Sequence, residues 1–143
     1  MRWVFDDGGR AAAGYKGRTG DCGVRALAIA AELPYQDAVE IVLRYAADER
    51  ITKRRPTRSA TRTGIRRSTM RKLLADRGWQ WFPIMGIGTG CRVHMDSREL
   101  PGGRLIVSLS RHYAAVVDGV LHDTFDCTRR GTRCVYGYWW RAA

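Results

Sequence analysis

Apolar residues change rhythm roughly halfway along this chain. From Cys22 to Leu33 the run CGVRALAIAAEL covers one broad helical face, and from Tyr35 to about Asp48 the residues Ala38, Val39, Ile41, Val42 and Tyr45 recur at helical spacing. Thr19 or Asp21 fits the N-cap of the first helix, and Pro34 ends it near the start of the second. A third helix fits Ser68 to Asp76, capped by Ser68, with Met70, Leu73 and Leu74 inward and Gly78 past its end. After that the alternation is that of strands. Trp79 to Met85 is one, Gly86 to Gly90 is a turn-rich link, and Asp96 to Leu100 is a helical turn ending at Pro101. Arg104 to Leu109 and Arg111 to Val117 are strands. Asp118-Gly119 is a type I′ turn signal, Val120 to Phe125 returns, and Val135 to Trp140 is a last strand. Trp3-Val4-Phe5 is a short strand ahead of a Gly-rich, polar stretch to residue 20.

Helices followed by an antiparallel sheet predict an α+β fold. The 143 residues suffice for one core, so 1–143 is read as a single domain without internal repeats. Residues 51–67, ITKRRPTRSATRTGIRR, lack apolar periodicity and predict a basic surface loop. No apolar run of signal-peptide length follows Met1, and no stretch of about 18 apolar residues occurs. The expectation is a soluble, cytoplasmic protein with no membrane partner; its oligomeric state is not readable.

Charge adds a second theme. The net charge is +11. Lys53, Arg54, Arg55, Arg58, Arg62, Arg66 and Arg67, followed by Arg71 and Lys72, make a dense basic stretch suited to an acidic partner. With Trp79, Trp81, Trp139 and Trp140 as stacking platforms, it would suit nucleic acid. Composition offers a plainer account: nearly all basic residues are Arg, and Asn is absent, as in a GC-rich genome.

Four cysteines occur, at 22, 91, 127 and 134. Reduced thiols are the default for a cytoplasmic chain. Cys127 and Cys134 bracket six residues, and a disulfide across a hairpin would be geometrically possible there. Cys91 and His94 have ligand-like spacing, and Cys127 and Cys134 would complete four ligands. Without a Cys-x-x-Cys pair that pattern is weak, and neither metal nor cofactor is expected.

Cys22 carries the sharper chemistry. A thiol in the first turn of a helix meets free N–H groups and partial positive charge, which favour the nucleophilic thiolate. Such a nucleophile needs a base and a group to orient that base. Among His94, His112 and His122, only His112 opens a core strand. A two-residue turn at Asp118-Gly119 pairs Val117 with Val120, Val116 with Leu121, Ala115 with His122 and Ala114 with Asp123. His112 then shares a face with Asp123, while His122 falls on the other. A bulge near Ala114 would invert that parity and give the role to His122 or Thr124.

Thr19-Gly20-Asp21-Cys22-Gly23-Val24-Arg25-Ala26 opening a helix resembles the cysteine motif of papain-like peptidases. Arg111-His112-Tyr113-Ala114-Ala115-Val116-Val117, with Asp123 one strand later, resembles their His-first strand. The order Cys, His, Asp is that of this superfamily, including its bacteriocin-processing C39-like and NlpC/P60-like branches. The run from Leu100 to Trp139 is also similar to small uncharacterised phage and prophage proteins.

These resemblances imply a papain-like core with helices packed on a C-terminal sheet. They imply a cysteine peptidase or amidase using a Cys22-His112-Asp123 catalytic triad on a protein or peptide. A phage origin would place it in the host cytoplasm or the virion. Papain-like enzymes carry a Gln or similar donor shortly before the cysteine, and residues 10–21 contain none. Lys16, Arg18, Thr19 or a second backbone N–H is expected to complete the oxyanion site. The alternatives are a basic nucleic-acid-binding module or a catalytically inactive papain-like binding protein.

Overall fold

The computed structural model describes residues 1–17, 19–86 and 88–141. Among these, three helices precede most of a six-stranded sheet, giving the expected α+β class. The helices are α1 (Cys22–Ala30), α2 (Tyr35–Ala47) and α3 (Arg67–Ala75). The strands are β1 (Arg2–Phe5), β2 (Gln80–Pro83), β3 (Arg104–Leu109), β4 (His112–Val117), β5 (Val120–Asp123) and β6 (Gly137–Trp140).

Helix α1 is almost wholly buried, from Gly23 to Ala30. It stops where Glu32 takes a left-handed φ of 56° and the Leu33 N–H returns to the Ala28 carbonyl, just before Pro34. The β4–β5 hairpin has the expected register, with Ala115 opposite His122, Val116 opposite Leu121 and Val117 opposite Val120. Asp118 and Gly119 supply the two positive φ angles, 48° and 78°, that a type I′ turn requires.

The sheet order is β1-β5-β4-β3-β6-β2. It departs from a purely antiparallel C-terminal sheet in two ways. Strand β1 joins β5 in parallel, with Trp3 opposite Leu121. Strand β6 does not follow β5 but crosses to the far side of β3, where β2 pairs with it. One face of the sheet, through Ile106, Ala115 and Trp139, packs on the three helices. The opposite face presents Leu105, Val107, Val116 and Leu121 to Met95, Leu100 and Val135 from the loops. Alternation along β3 and β4 thus builds two cores from one sheet.

The cysteines depart from the expectation of reduced thiols, and from the bridge possible across a hairpin. The disulfide joins Cys91 to Cys134, not Cys127 to Cys134. Residues 128–133 fold into turns, with Gly131 and Arg133 both bonding back to Thr128, so they form no hairpin. Cys134 instead lies in a short antiparallel pairing with His94, flanked by the bonds Val135 N–H to Val93 and Met95 N–H to Arg133. Cys127 is buried elsewhere as a free thiol. The four-ligand set Cys91, His94, Cys127 and Cys134 therefore does not assemble.

The basic stretch is mostly exposed, yet it is anchored. Glu49 accepts bonds from Ser59, and from Thr69 on α3, and forms an ion pair with Arg66. Arg66 also donates to the carbonyls of Arg50 and Thr57. Ile65, next in sequence, is buried against the helices. Of the tryptophans, Trp79 and Trp139 are in the core, 4% and 1% exposed, and are closed to stacking with an external base.

Candidate active site

Three elements meet at the start of α1: the first residue of β4, the last residue of β5 and the helix N-terminus. They bring together Cys22, His112 and Asp123, the three residues selected from the sequence. His112 Nε2 lies 2.6 Å from Asp123 Oδ2, and both side chains are buried. The Cys22 thiol lies beside the His112 side chain and the backbone of Tyr113, and both favour its ionised form. With Nε2 held by the carboxylate, Nδ1 is the ring nitrogen left for proton exchange.

The electrostatics favour a charged pair. Burial works against ionising Cys22. The His112 hydrogen bond, the Tyr113 backbone and the positive charges of His112 and Arg25 outweigh it, leaving the thiol below its ordinary value. Burial likewise works against a charged His112, but hydrogen bonds to Asp123, Cys127 and Cys22 push it up to about 11. Asp123 is opposed by burial too, and its bonds to His112 and the Thr124 N–H, with the charges of His112 and Arg25, hold it below the usual carboxylate range.

Arg25 is the functional residue that pattern reading missed. One turn after Cys22, it is buried in a helix otherwise full of small apolar residues. Its guanidinium pairs with Asp21, and its Nη2 lies 3.0 Å from Asp123 Oδ1. Asp21 is also held by Tyr35, whose hydroxyl donates to Oδ2 at 2.7 Å. A charged residue on the apolar face of a helix was the available signal, since buried Arg needs partners. The network has a second effect. Asp21 occupies the N-cap position but makes no capping bond. Its carboxylate is drawn inward, so the first-turn N–H groups beside Cys22 have no side-chain cap.

Cys127 is the other omission. It is 2% exposed, and its sulfur lies with donor atoms of His112 and Asp123 within 4.8 Å of one another. Two thiols thus lie near one imidazole, one lining the cleft and one buried outside its lining.

The site opens on a cleft of about 1390 Å³. Phe5, Tyr15, Ile65, Tyr113 and Phe125 give it apolar surface, and Arg55, Arg67 and Arg111 give it positive charge. The basic stretch forms one wall, tied to the segment before Cys22 by the Gly20 N–H to Arg62 carbonyl bond. Of the expected oxyanion donors, Thr19 lines the cleft but its hydroxyl points to the Arg62 carbonyl at 3.2 Å. Lys16 contributes its carbonyl to Arg10 and is not among the lining residues. Arg18 lies outside the described residues. Of the other basic candidates, Lys53, Arg54, Arg58 and Arg62 are exposed and do not line the cleft, and Arg66 is committed to Glu49.

No helix among the described residues is long and apolar enough to cross a membrane. Comparison with protein-family models, curated proteins and solved structures returns no match.

Proposed function

We propose that this chain is a papain-like thiol hydrolase, a cysteine peptidase or amidase acting on a protein or peptide through an acyl-enzyme. The observation that carries the proposal is the buried His112–Asp123 pair held against a thiol at an uncapped helix N-terminus, at the floor of an open cleft. The Cys22 thiolate attacks the carbonyl carbon, and the oxygen takes the displaced electron pair beside the first-turn N–H groups. Protonated His112 gives its proton to the leaving amine as the carbon–nitrogen bond breaks. His112 then removes a proton from water, which attacks the thioester and frees Cys22. Asp123 keeps Nε2–H engaged, and Nδ1 toward the sulfur, throughout. Arg25 touches no reacting atom; it positions Asp123. The arginines along the cleft suit a substrate with acidic side chains.

Reaction with a thiol-directed electrophile near neutral pH tests the proposal. Only Cys22 and Cys127 carry free thiols, and Cys127 is buried. Cys22 should react far faster than an ordinary thiol, and His112→Ala should remove most of the excess. Equal reactivity of both thiols, unchanged by His112→Ala, sinks the hydrolase. Fast labelling without turnover of any acyl substrate would instead favour an inactive binding protein of the same fold. Nucleic acid is less well supported, because two of the four tryptophans offered as stacking platforms, Trp79 and Trp139, are closed off in the core. Salt-sensitive DNA or RNA binding that persists in Cys22→Ala would revive it.

A further inference from the structure

The geometry points to a second chemical site on the far loops: Cys91, His94 and Cys134 form a binding site for a thiophilic divalent cation of the zinc class, masked in the structure by the Cys91–Cys134 disulfide. Reduction opens it. The site is separate from the cleft and does not depend on how Cys22 is read.

Three observations converge there. Donor atoms of Cys91, His94 and Cys134 all lie within 4.8 Å of one another. A disulfide needs no imidazole beside it, whereas two thiolates and an imidazole are a common zinc ligand set. Next, His94 Nδ1 is 3.2 Å from Glu99 Oε1. A carboxylate holding one ring nitrogen of a histidine is the arrangement that orients and strengthens histidine ligands in metal sites. Finally, the backbone of two of the three donors, His94 and Cys134, is fixed independently of the sulfur–sulfur bond. The bonds Met95 N–H to Arg133 and Val135 N–H to Val93 hold His94 opposite Cys134. Reduction would therefore leave His94 facing Cys134, with Cys91 three residues before His94 on the same segment.

The chemistry balances. A dithiol reductant gives two electrons and two protons to the disulfide, becomes a disulfide itself and leaves two thiols. The cation then displaces both thiol protons, and its fourth position takes water. Tetrahedral zinc would set the two sulfurs about 3.8 Å apart, from Zn–S bonds of about 2.3 Å. Cys91 is exposed and His94 half-buried, so reductant and ion both have access. The segment from Cys91 to His94 is thus clamped to the segment leading into β6 in either state, by a covalent bond when oxidised and by metal when reduced.

Cobalt(II) tests this in the full-length chain, reduced with dithiothreitol and desalted without oxygen. One equivalent should give thiolate-to-cobalt charge-transfer absorption and tetrahedral visible bands, displaced by zinc, and the unreduced protein should give neither. Cys134→Ser should abolish the signal. His94→Ala, at a half-buried position, and Glu99→Gln, at an exposed one, should weaken binding by at least about tenfold. Cys22→Ala and Cys127→Ser should leave it unchanged. Absence of stoichiometric binding after reduction overturns the inference, as does binding indifferent to His94→Ala and Cys134→Ser. Loss in Cys127→Ser also overturns it, by assigning the ion to the His112–Asp123–Cys127 cluster. A thermal melt of the reduced chain, raised by zinc in the parent and not in His94→Ala, gives the same answer without cobalt.

Discussion

His122 and Asp123 are neighbours on β5, and each takes part in a histidine–carboxylate pair, but on opposite sides of the strand. His122 Nδ1 lies 3.2 Å from Asp6 Oδ2, with the two side chains 26% and 34% exposed. Asp123 Oδ2 lies 2.6 Å from His112 Nε2, with the two side chains 2% and 9% exposed. The residue types are the same; the surroundings are not. Water screens the first pair, and Asp6 otherwise accepts a short local bond from the Gly8 N–H at 2.8 Å. The second is buried between a helix and a sheet, with Arg25 on the free carboxylate oxygen and Cys22 at the imidazole. A candidate site is therefore made here by burial and by the third and fourth partners, not by the pair alone.

The comparison breaks most sharply at the carboxylates. Asp123→Asn should cut Cys22-dependent hydrolysis by about a thousandfold or more, because an amide supports the wrong imidazole tautomer and no imidazolium. Asp6→Asn should leave the rate within about twofold, as expected of a screened surface pair. Progress curves on one peptide substrate compare them directly. Equal losses would mean that β5 carries no privileged face.

Arg25 comes next. It is buried with two carboxylates, so Arg25→Met strands Asp21 and Asp123 without their shared cation. Removing one partner of a buried network costs about 3–5 kcal/mol, read as a lower denaturation midpoint at unchanged m-value. Tyr35→Phe should cost less, about 1–2 kcal/mol, since it removes one bond to Asp21. A positioning role for Arg25 predicts more than instability. In Arg25→Lys the pH profile of Cys22 alkylation should shift, whereas a purely structural role would move only the midpoint.

Titration sharpens the contrast. His112 sits at about 11 in the fold, above its ordinary 6.5. The stability it contributes is full below pH 6.5 and is lost as pH rises toward 11. Cys22 is depressed, so its contribution is present above the ordinary thiol value of 9.0 and is lost as pH falls through the folded value. Between those limits the thiolate and imidazolium coexist. Alkylation of Cys22 should reach its plateau at a lower pH than that of an ordinary thiol and fall on the acid side. His112→Ala should move that acid limb up toward 9, slowing alkylation at pH 7 by about tenfold or more. An acid limb that stays put in His112→Ala would show that the imidazole does not set the thiolate.

Much of this contrast was legible before any coordinates. Period-two alternation and the Asp118-Gly119 turn fix which residues of β4 and β5 face the same way, so Asp123 could be chosen over His122 by parity. Helix α1 was legible from its apolar run, and so was the placing of Cys22 at its start. What escaped depends on long-range contact. Arg25 shows in the sequence only as a charge on an apolar helical face, and its partner Asp123 lies 98 positions away. Cys127 and Cys134 look like hairpin partners until residues 128–133 coil into turns and the 91–95 segment pairs with Cys134 instead. The parallel β1–β5 pairing and the crossing of β6 to β3 have no local signature, because strand order is set by which apolar faces the helices leave to be covered.

The smallest effect belongs to the control. His122→Gln keeps a polar side chain of similar reach and removes the charge that Asp6 could attract. The pair is partly exposed, so its Coulomb attraction is screened, and exposed ion pairs contribute about 0–1 kcal/mol. The variant should lose less than that, and the loss should shrink further in about 1 M salt, where screening acts within about 3 Å. Alkylation of Cys22 should keep both its rate and its pH profile, because β5 directs His122 away from the cleft. Urea denaturation at two salt concentrations, with alkylation of the same samples, reads all of these. A loss above about 2 kcal/mol that salt does not reduce would place His122 in a buried network of its own, and β5 would then carry two sites rather than one site and one surface pair.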